Sequence, residues 1–480
     1  MRIPSLPRAA LAFGLILLPA IAGFAAPPAA ALTAEQQDWL ARAGRHEKAG
    51  WIYLHLEGGP RERGFQHGYV LAPEIAQWLR VRRAVWLHDT AMEWDWLLKE
   101  VARFVSPAID PENREELLGI VDGLRAAGVA TTLDELVAYN AWLELEGYWW
   151  PEVKRKMDGA ATAVTAPPQA CSSFIATGRM TKDGGVVLGH NTMCAYVEAN
   201  CNVIIDLVPA RGHRILMQTV PGWIHSGTDF FITEAGLVGA ETTIGGFSGF
   251  SEKGVPEFVR MRRATQDASG IDAWCEIMKR GNNGGYANAW LLGDVNTGEI
   301  ARLELGLRHT SLERTHDGFF LGSNVAENGK ILRLETNAKE TDIRDSNVAR
   351  RLRWKQLMAQ HRGMIDLGLA KAFEADHYDT YRAAERPSAR TLCGHFESDA
   401  EANESWPGVP FGCNGTVDAK VVDMTMAKRM SFAARWGAAC GRPFDAAQFL
   451  AAQPQFEWLD GLLKSRASEP WVEFQAGEKP

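Results

Sequence analysis

The sequence predicts an α+β fold, and three observations carry that prediction. Strand-like runs follow Cys171 in hairpin order, helical periodicity dominates before about residue 157 and returns late in the chain, and "DGAATAVTAPPQA" separates the two regimes. Helices segregated before and after a run of antiparallel strands pack as α+β layers rather than as alternating βαβ units.

The elements follow in order. The opening "MRIPSLPRAALAFGLILLPAIAGFAAPPAAALTAEQ" places Arg2 and Arg8 ahead of a short apolar run and then small residues, the layout of a cleaved secretory signal over residues 1–31. Its apolar part is shorter than the roughly 18 residues a membrane span needs, and no later run reaches that length. No cysteine follows the small residues, so lipid attachment there has no support, and the expected location is periplasmic or secreted, or lumenal in a eukaryote. Residues 32–156 read as a helical upstream segment. "APEIAQWLRVRRAVWLHDTAMEWDWLLKEVARF" spaces its apolar residues by three and four, and "DPENREELLGIVDGLRAAG" opens on Asp-Pro and closes on Gly. Residues 157–170 are a linker, and residues 171–480 form the second, strand-rich part.

Within that part "SSFIATGRMTKDGGVVLGHN" reads as strand, turn, strand, with more strands at "NVIIDLV", "RILMQTV", "DFFITEAGLVGAETTI", "ANAWLLGDVNTGEIARLEL" and "GFFLGSN". Helices are expected again at "SNVARRLRWKQLMAQ" and "DAKVVDMTMAKRMSFAARW". The tryptophans ahead of Cys171, among them Trp78, Trp86, Trp94, Trp96, Trp149 and Trp150, either fill a core or line an acyl-chain pocket.

Composition narrows the function. A formal net charge of −8, with no run of five basic residues, excludes the electrostatic footprint of a nucleic-acid binder. There is no Gly-x-Ser-x-Gly elbow, His-Glu-x-x-His, P-loop or Cys-x-x-Cys pair, so serine-hydrolase and zinc-enzyme readings are disfavoured and no metal or organic cofactor is expected. The "GNNGGY" run is a turn with the wrong glycine spacing for a nucleotide fingerprint. Seven cysteines in an exported chain leave one over, a candidate reactive thiol. With Cys171 as that thiol, six remain, and Cys393 with Cys413 is the preferred pair.

A cysteine where a linker meets a strand is either core or nucleophile. Cutting the bond between Ala170 and Cys171 would give Cys171 a free α-amine whose ordinary pKa, near 8, suits it to take the thiol proton at neutral pH. One residue would then supply both nucleophile and base.

The run "CSSFIATGRMTKDGGVVLGHNTMCAY" resembles the start of the mature catalytic chain in the phospholipase B-like proteins of the N-terminal-nucleophile (Ntn) hydrolase superfamily. The resemblance continues through "PGWIHSGTDFFITEAGLVGAETTIGG", "MKRGNNGGYANAWLLGD" and "GTVDAKVVDMTMAKRMS", with a weaker upstream block at "LEGGPRERGFQHGYVLAPEI". The penicillin acyltransferase-like C45 peptidases and the bile-salt hydrolases are more distant relatives. The resemblance implies an αββα sandwich of two stacked antiparallel sheets flanked by helices, and a precursor that cuts itself between Ala170 and Cys171. It carries over Cys171 as nucleophile, His190 and Asn191 as a polar pair near nucleophile or substrate, Thr243 as a pocket residue, Asn324 as an oxyanion donor and Arg344 as the site arginine. Asn288 is the alternative donor, and Met193 stands where relatives usually have Trp.

The expected function is hydrolysis of an amide or ester bond in a lipid-like or acylated small molecule through a cysteine thioester, the two cut chains staying associated. An acyltransferase using the same nucleophile and a catalytically silent lipid-binding relative are the alternatives.

Overall fold

Seventeen strands organise the described residues of this computed structural model, which are 31–159, 171–199, 202–227, 229–402 and 409–479. The signal segment up to residue 30, most of the linker, Ala170 and Cys201 lie outside them. The strands are β1 Gly44–Lys48, β2 Trp51–Gly58, β3 Ser172–Thr177, β4 Val187–Ala195, β5 Val203–Pro209, β6 Ile215–Thr219, β7 Phe230–Thr233, β8 Leu237–Thr243, β9 Asn288–Asp294, β10 Glu299–Leu305, β11 Thr310–Thr315, β12 Gly318–Gly322, β13 Tyr378–Asp379, β14 Ala384–Glu385, β15 Asn414–Asp423, β16 Ser431–Trp436 and β17 Val472–Gln475. One sheet runs β1-β2-β5-β6-β7-β8-β9-β10-β11 and a second β12-β3-β4-β15-β16-β17, while β13 and β14 form a separate pair.

The two large sheets stack. Their facing surfaces are apolar and small enough to approach closely: a Cβ on Gly293 of β9 would sit 3.1 Å from Ile175 of β3. Outside the smaller sheet, the helices Ser346–Gln360 and Leu367–Glu374 present Trp354 and Phe373 to Phe174, at ring-centroid distances of 5.1 and 5.8 Å. Outside the larger sheet, Trp274 of the helix Ile271–Lys279 stacks on Phe231 and meets Trp290 edge-on. The order is helix, sheet, sheet, helix, the αββα sandwich expected from the sequence.

Two segments differ from their sequence reading. "DAKVVDMTMAKRMSFAARW" is a hairpin, β15 and β16 joined by the short helix Met424–Lys428. Its mixed apolar run fits either period, but β15 lies between β4 and β16 with both faces covered, so Val417, Ala419, Val421 and Val422 are buried without alternation. The upstream segment is mostly helical, yet after its first helix, Ala34–Arg42, it forms β1 and β2, and β2 pairs in parallel with β5 from Ile52 opposite Val203 to Gly58 opposite Pro209. Trp51, Ile52, Tyr53, Leu54 and Leu56 are all buried there. Every other named pairing in the two large sheets is antiparallel. Six of the tryptophans upstream of Cys171 pack on one another: Trp86 meets Trp142 and Trp150 edge-on and stacks with Trp96, Trp94 lies against Trp142, and Trp149 against Trp96.

Two upstream helices, Pro60–Val70 and Pro111–Ala126, cross at reciprocal glycines. A Cβ on Gly64 or Gly68 would overlap the carbonyl oxygen of Glu116 or Ile120, and one on Gly119 or Gly123 the carbonyl of Arg61 or Phe65. Backbone meets backbone, so neither helix can yield by a rotamer change. The crossing also buries Arg63, whose Nε donates to Glu116 Oε2 at 2.6 Å, and Arg262 of the helix Glu257–Asp267 donates to the other oxygen of Glu116 at 3.1 Å. That ion network joins the upstream segment to the helical layer over the larger sheet. Gly119→Ala is expected to cost roughly 1–3 kcal/mol by overpacking, whereas Gly329→Ala, at an open position, should leave the urea midpoint nearly unmoved. Equal midpoints for the two variants would contradict the close crossing.

Candidate functional site

Cys171 sits one residue ahead of β3, where the pleat decides which way it faces. Ser172 turns to the outer helical layer, its Oγ accepting from Trp354 Nε1 at 2.9 Å. Cys171 therefore points between the sheets, fully buried, and a sulfur-to-ligand-atom cluster forms with His190 of β4 and Asp229 just ahead of β7, all within 4.8 Å of one another. The strand β3 lies between β12 and β4, so the residues after β12 and the middle of β4 are its immediate neighbours.

His190 is held in one tautomer. Its Nε2 lies 2.9 Å from the Glu241 carbonyl oxygen, which can only accept, so Nε2 carries the proton and Nδ1 the lone pair. Nδ1 has no hydrogen-bond partner among the described residues. Burial, then the nearby Lys420 charge, holds the imidazole pKa well below its ordinary value, so the ring is a neutral proton acceptor.

The acids beside it share one phenol. Tyr286 Oη is 2.9 Å from Asp229 Oδ2 and from Glu241 Oε2, and 3.3 Å from Thr243 Oγ1. A single phenol proton reaches only one carboxylate. Burial raises both acids, Glu241 well above the usual carboxylate range, and the charge of Asp229 raises Glu241 further. The pair therefore holds a proton that two exposed carboxylates would release. Asp229 and Tyr286 both take a left-handed backbone, at φ of 68° and 55°, a costly conformation for non-glycine residues that marks a site whose surroundings over-determine it. Burial, followed by Asp229 and Glu241, pushes the Cys171 thiol well above its usual range. The thiol in this state is neutral and needs a base.

On the other flank the backbone of Cys171 is gripped by Arg350, in the helix Ser346–Gln360. Its guanidinium donates to the Cys171 carbonyl at 2.7 Å, to Asn324 Oδ1 at 2.8 Å and to Asn347 Oδ1 at 2.8 Å. Asn324 follows β12, takes φ of 67°, and donates from Nδ2 to the Thr243 carbonyl at 2.7 Å. An amide nitrogen has two protons, so one remains for a second acceptor. Beyond Asp229 and Tyr286 lies a small cavity, about 10 Å³ and thus near the least a water requires, bordered by Glu144, His225, Glu257 and Phe258.

The structure therefore brings Cys171, His190, Thr243 and Asn324 together. Asn191 faces the other way, as alternation along β4 requires, donating to the carbonyls of Glu374 and Leu392. Asn288 donates to Glu257 Oε1 at 3.0 Å, on the cavity side. Arg344 lies at the surface, bonded through Nε and Nη2 to Asp342 at 2.9 and 2.7 Å. Sequence reasoning missed Arg350, Asp229, Glu241 and Tyr286. Arg350 had a signal: Asn347, Arg350 and Trp354 recur at three and four, one helix face, which here turns to β3. The acids carried none, because their proximity arises from the sheet stacking. The expected pair Cys393 and Cys413 is also corrected: all six described cysteines are free thiols, and these two lie in separate buried clusters.

Fold and site define the class: an αββα sandwich with a buried cysteine at the head of an inner strand. Within that class the chain resembles the phospholipase B-like proteins. The phospholipase B family model matches residues 127–306. Phospholipase B-like protein A of Dictyostelium discoideum is 27% identical over 162 residues, 30% of this chain and 28% of its own length. A phospholipase B-like 2 protein of Homo sapiens is 39% identical over 94 residues, covering 18% and 16%, and an uncharacterized protein of Archaeoglobus fulgidus is 29% identical over 199 residues, covering 39% and 32%. The matches span a third or less of these relatives' lengths. A conjugated bile acid hydrolase mutant from Clostridium perfringens aligns in structure at TM-score 0.32 and 11% identity, over 55% of this chain and 88% of that one.

The two arginines make opposite predictions. Arg350→Ala leaves the Cys171 carbonyl and two amide oxygens without their donor, and should cost roughly 2–4 kcal/mol, read as a lowered thermal midpoint. Arg344→Ala removes an exposed ion pair and should stay within about 0.5 kcal/mol. The reverse ranking would move the site arginine back to Arg344.

Proposed function

We propose that this chain is an exported, self-processing cysteine Ntn hydrolase that cleaves an amide or ester bond in an acylated or lipid-like small molecule. The observation that carries the reading is the buried Cys171 thiol within 4.8 Å of a ring nitrogen of neutral His190, with the Cys171 backbone held by Arg350 next to Asn324.

In self-processing, His190 Nδ1 takes the thiol proton as Sγ attacks the Ala170 carbonyl carbon. The Ala170 to Cys171 C–N bond breaks as the C–S bond forms, the proton passes to the departing amine, and water hydrolyses the thioester. The α-amine so released, with an ordinary pKa near 8, then serves as base for substrate. Attack on an acyl substrate builds charge on oxygen, and the second Asn324 Nδ2 proton would donate to it; losing such a donor costs on the order of 100-fold or more in turnover. Water resolves the acyl-enzyme. Parallel pairing of β2 with β5 and the Glu116 to Arg262 bond support continued association of the two pieces. No helix among the described residues is long and apolar enough to cross a membrane, in keeping with a leader-directed exported protein.

Intact-mass and N-terminal sequencing of purified protein test the reading. Wild type should give a piece beginning at Cys171 that co-elutes with the upstream piece until denatured, and Cys171→Ala one uncut chain that forms no acyl-enzyme with an activated ester. An active wild type with residues 170 and 171 still joined would falsify self-processing. Acyl transfer to an added amine in preference to water would replace hydrolase by acyltransferase.

A further inference from the structure

A second cluster of chemical groups lies away from Cys171, in loops outside the smaller sheet. His377 precedes β13, Cys393 and His395 sit in the loop ahead of the short helical turn Phe396–Ser398, and Cys440 follows β16. Their ligand-capable atoms all lie within 4.8 Å of one another, although the residues come from three separate stretches of chain. His395 Nε2 is 3.5 Å from Cys393 Sγ and 3.4 Å from Cys440 Sγ. The His377 ring is 5.1 Å from the His395 ring, centroid to centroid, at 67°.

One imidazole nitrogen can donate or accept one hydrogen bond, so it cannot satisfy two sulfurs at once. The Nε2 of His377 is buried and has no partner among the described residues. A tetrahedral ion answers both facts. With metal–sulfur bonds of about 2.3 Å and metal–nitrogen bonds of about 2.0–2.1 Å, tetrahedral edges between sulfur and nitrogen come to about 3.5 Å, the separations found here. The far side of His395 is also that of a metal ligand: its Nδ1 lies 2.9 Å from Glu397 Oε1, and the other carboxylate oxygen, Oε2, accepts from Tyr196 Oη at 2.8 Å. A carboxylate on the second ring nitrogen fixes the tautomer and aims the first nitrogen outward.

We infer that His377, Cys393, His395 and Cys440 form a structural site for a soft divalent cation, zinc above all. Two thiolates and two neutral imidazoles suit Zn²⁺ in both softness and geometry. Binding releases two thiol protons and leaves a complex of net charge zero, which a buried pocket tolerates. Cys393 and His395 are fully buried whereas His377 and Cys440 are half-buried, so the ion has a route from the surface. It would tie the loop carrying β13 and the loop after β16 to the stretch leading into β15, bracing the outer face of the sheet that holds Cys171.

Metal analysis of the protein purified without chelator or added metal is expected to give about one zinc per chain. Cys171→Ala should retain it, separating this cluster from Cys171, His190 and Asp229. Cys440→Ser with His377→Ala should lose it. Cobalt chloride added to chelator-stripped protein should give the visible absorption of tetrahedral Co²⁺ with a sulfur charge-transfer band in the near ultraviolet, and zinc chloride should bleach it. A wild type that contains no metal and takes up neither ion overturns the site, as does non-reduced peptide mapping that finds Cys393 joined to Cys440. Because wild type alone answers the question, a double variant that fails to fold leaves the test intact.

Discussion

The site is organised by one cation buried without a carboxylate bonded to it. Arg350 donates to three neutral oxygens, those of Cys171, Asn324 and Asn347, and burial lowers its pKa only to about 10, so the guanidinium remains charged. A charge so placed tolerates little displacement, because each oxygen that drifts away leaves it poorly solvated. It therefore fixes the helix Ser346–Gln360, the end of β12 and the head of β3 relative to one another. Trp354, one turn later on the same helix, does the same for Ser172. The position of the thiol follows from these bonds.

On the opposite side of the thiol the polar groups are matched differently. His190 is neutral, Tyr286 bridges the two acids, and burial raises both of them so that the pair retains a proton. Sharing a proton leaves the acid pair with one buried charge rather than two, which lessens the desolvation cost. The cluster also places a neutral imidazole within 4.8 Å of a thiol that burial keeps protonated. The nucleophilic role proposed for Cys171 would therefore require proton transfer within the cluster rather than a thiolate already formed, unlike nucleophiles activated by an adjacent positive charge.

The upstream segment is part of the same body. It contributes β1 and β2 to the edge of the larger sheet and its glycine-crossed helix pair to an ion network that reaches Arg262. These contacts bury apolar strand and helix faces that neither segment could leave in water.

Local signals in the sequence were enough for the elements whose period is unambiguous. The helix Ser346–Gln360, the helix Pro111–Ala126 with Asp110 accepting at its start, and the β3 to β4 and β9 to β10 hairpins all coincide with their sequence patterns. So does the start of β3 directly after Cys171. What only the tertiary structure decided is what long-range pairing decides. "DAKVVD" became strand because both faces are covered in mid-sheet, and β11, largely exposed at the sheet edge, has too little apolar alternation to announce itself. Arg350 replaced Arg344 as the arginine at Cys171 because a helix turn, not proximity in sequence, sets which side chain faces the sheet. The closeness of Asp229 to Cys171, and of His377 to Cys440, arises from sheet stacking and loop convergence across dozens of residues, which no local pattern encodes.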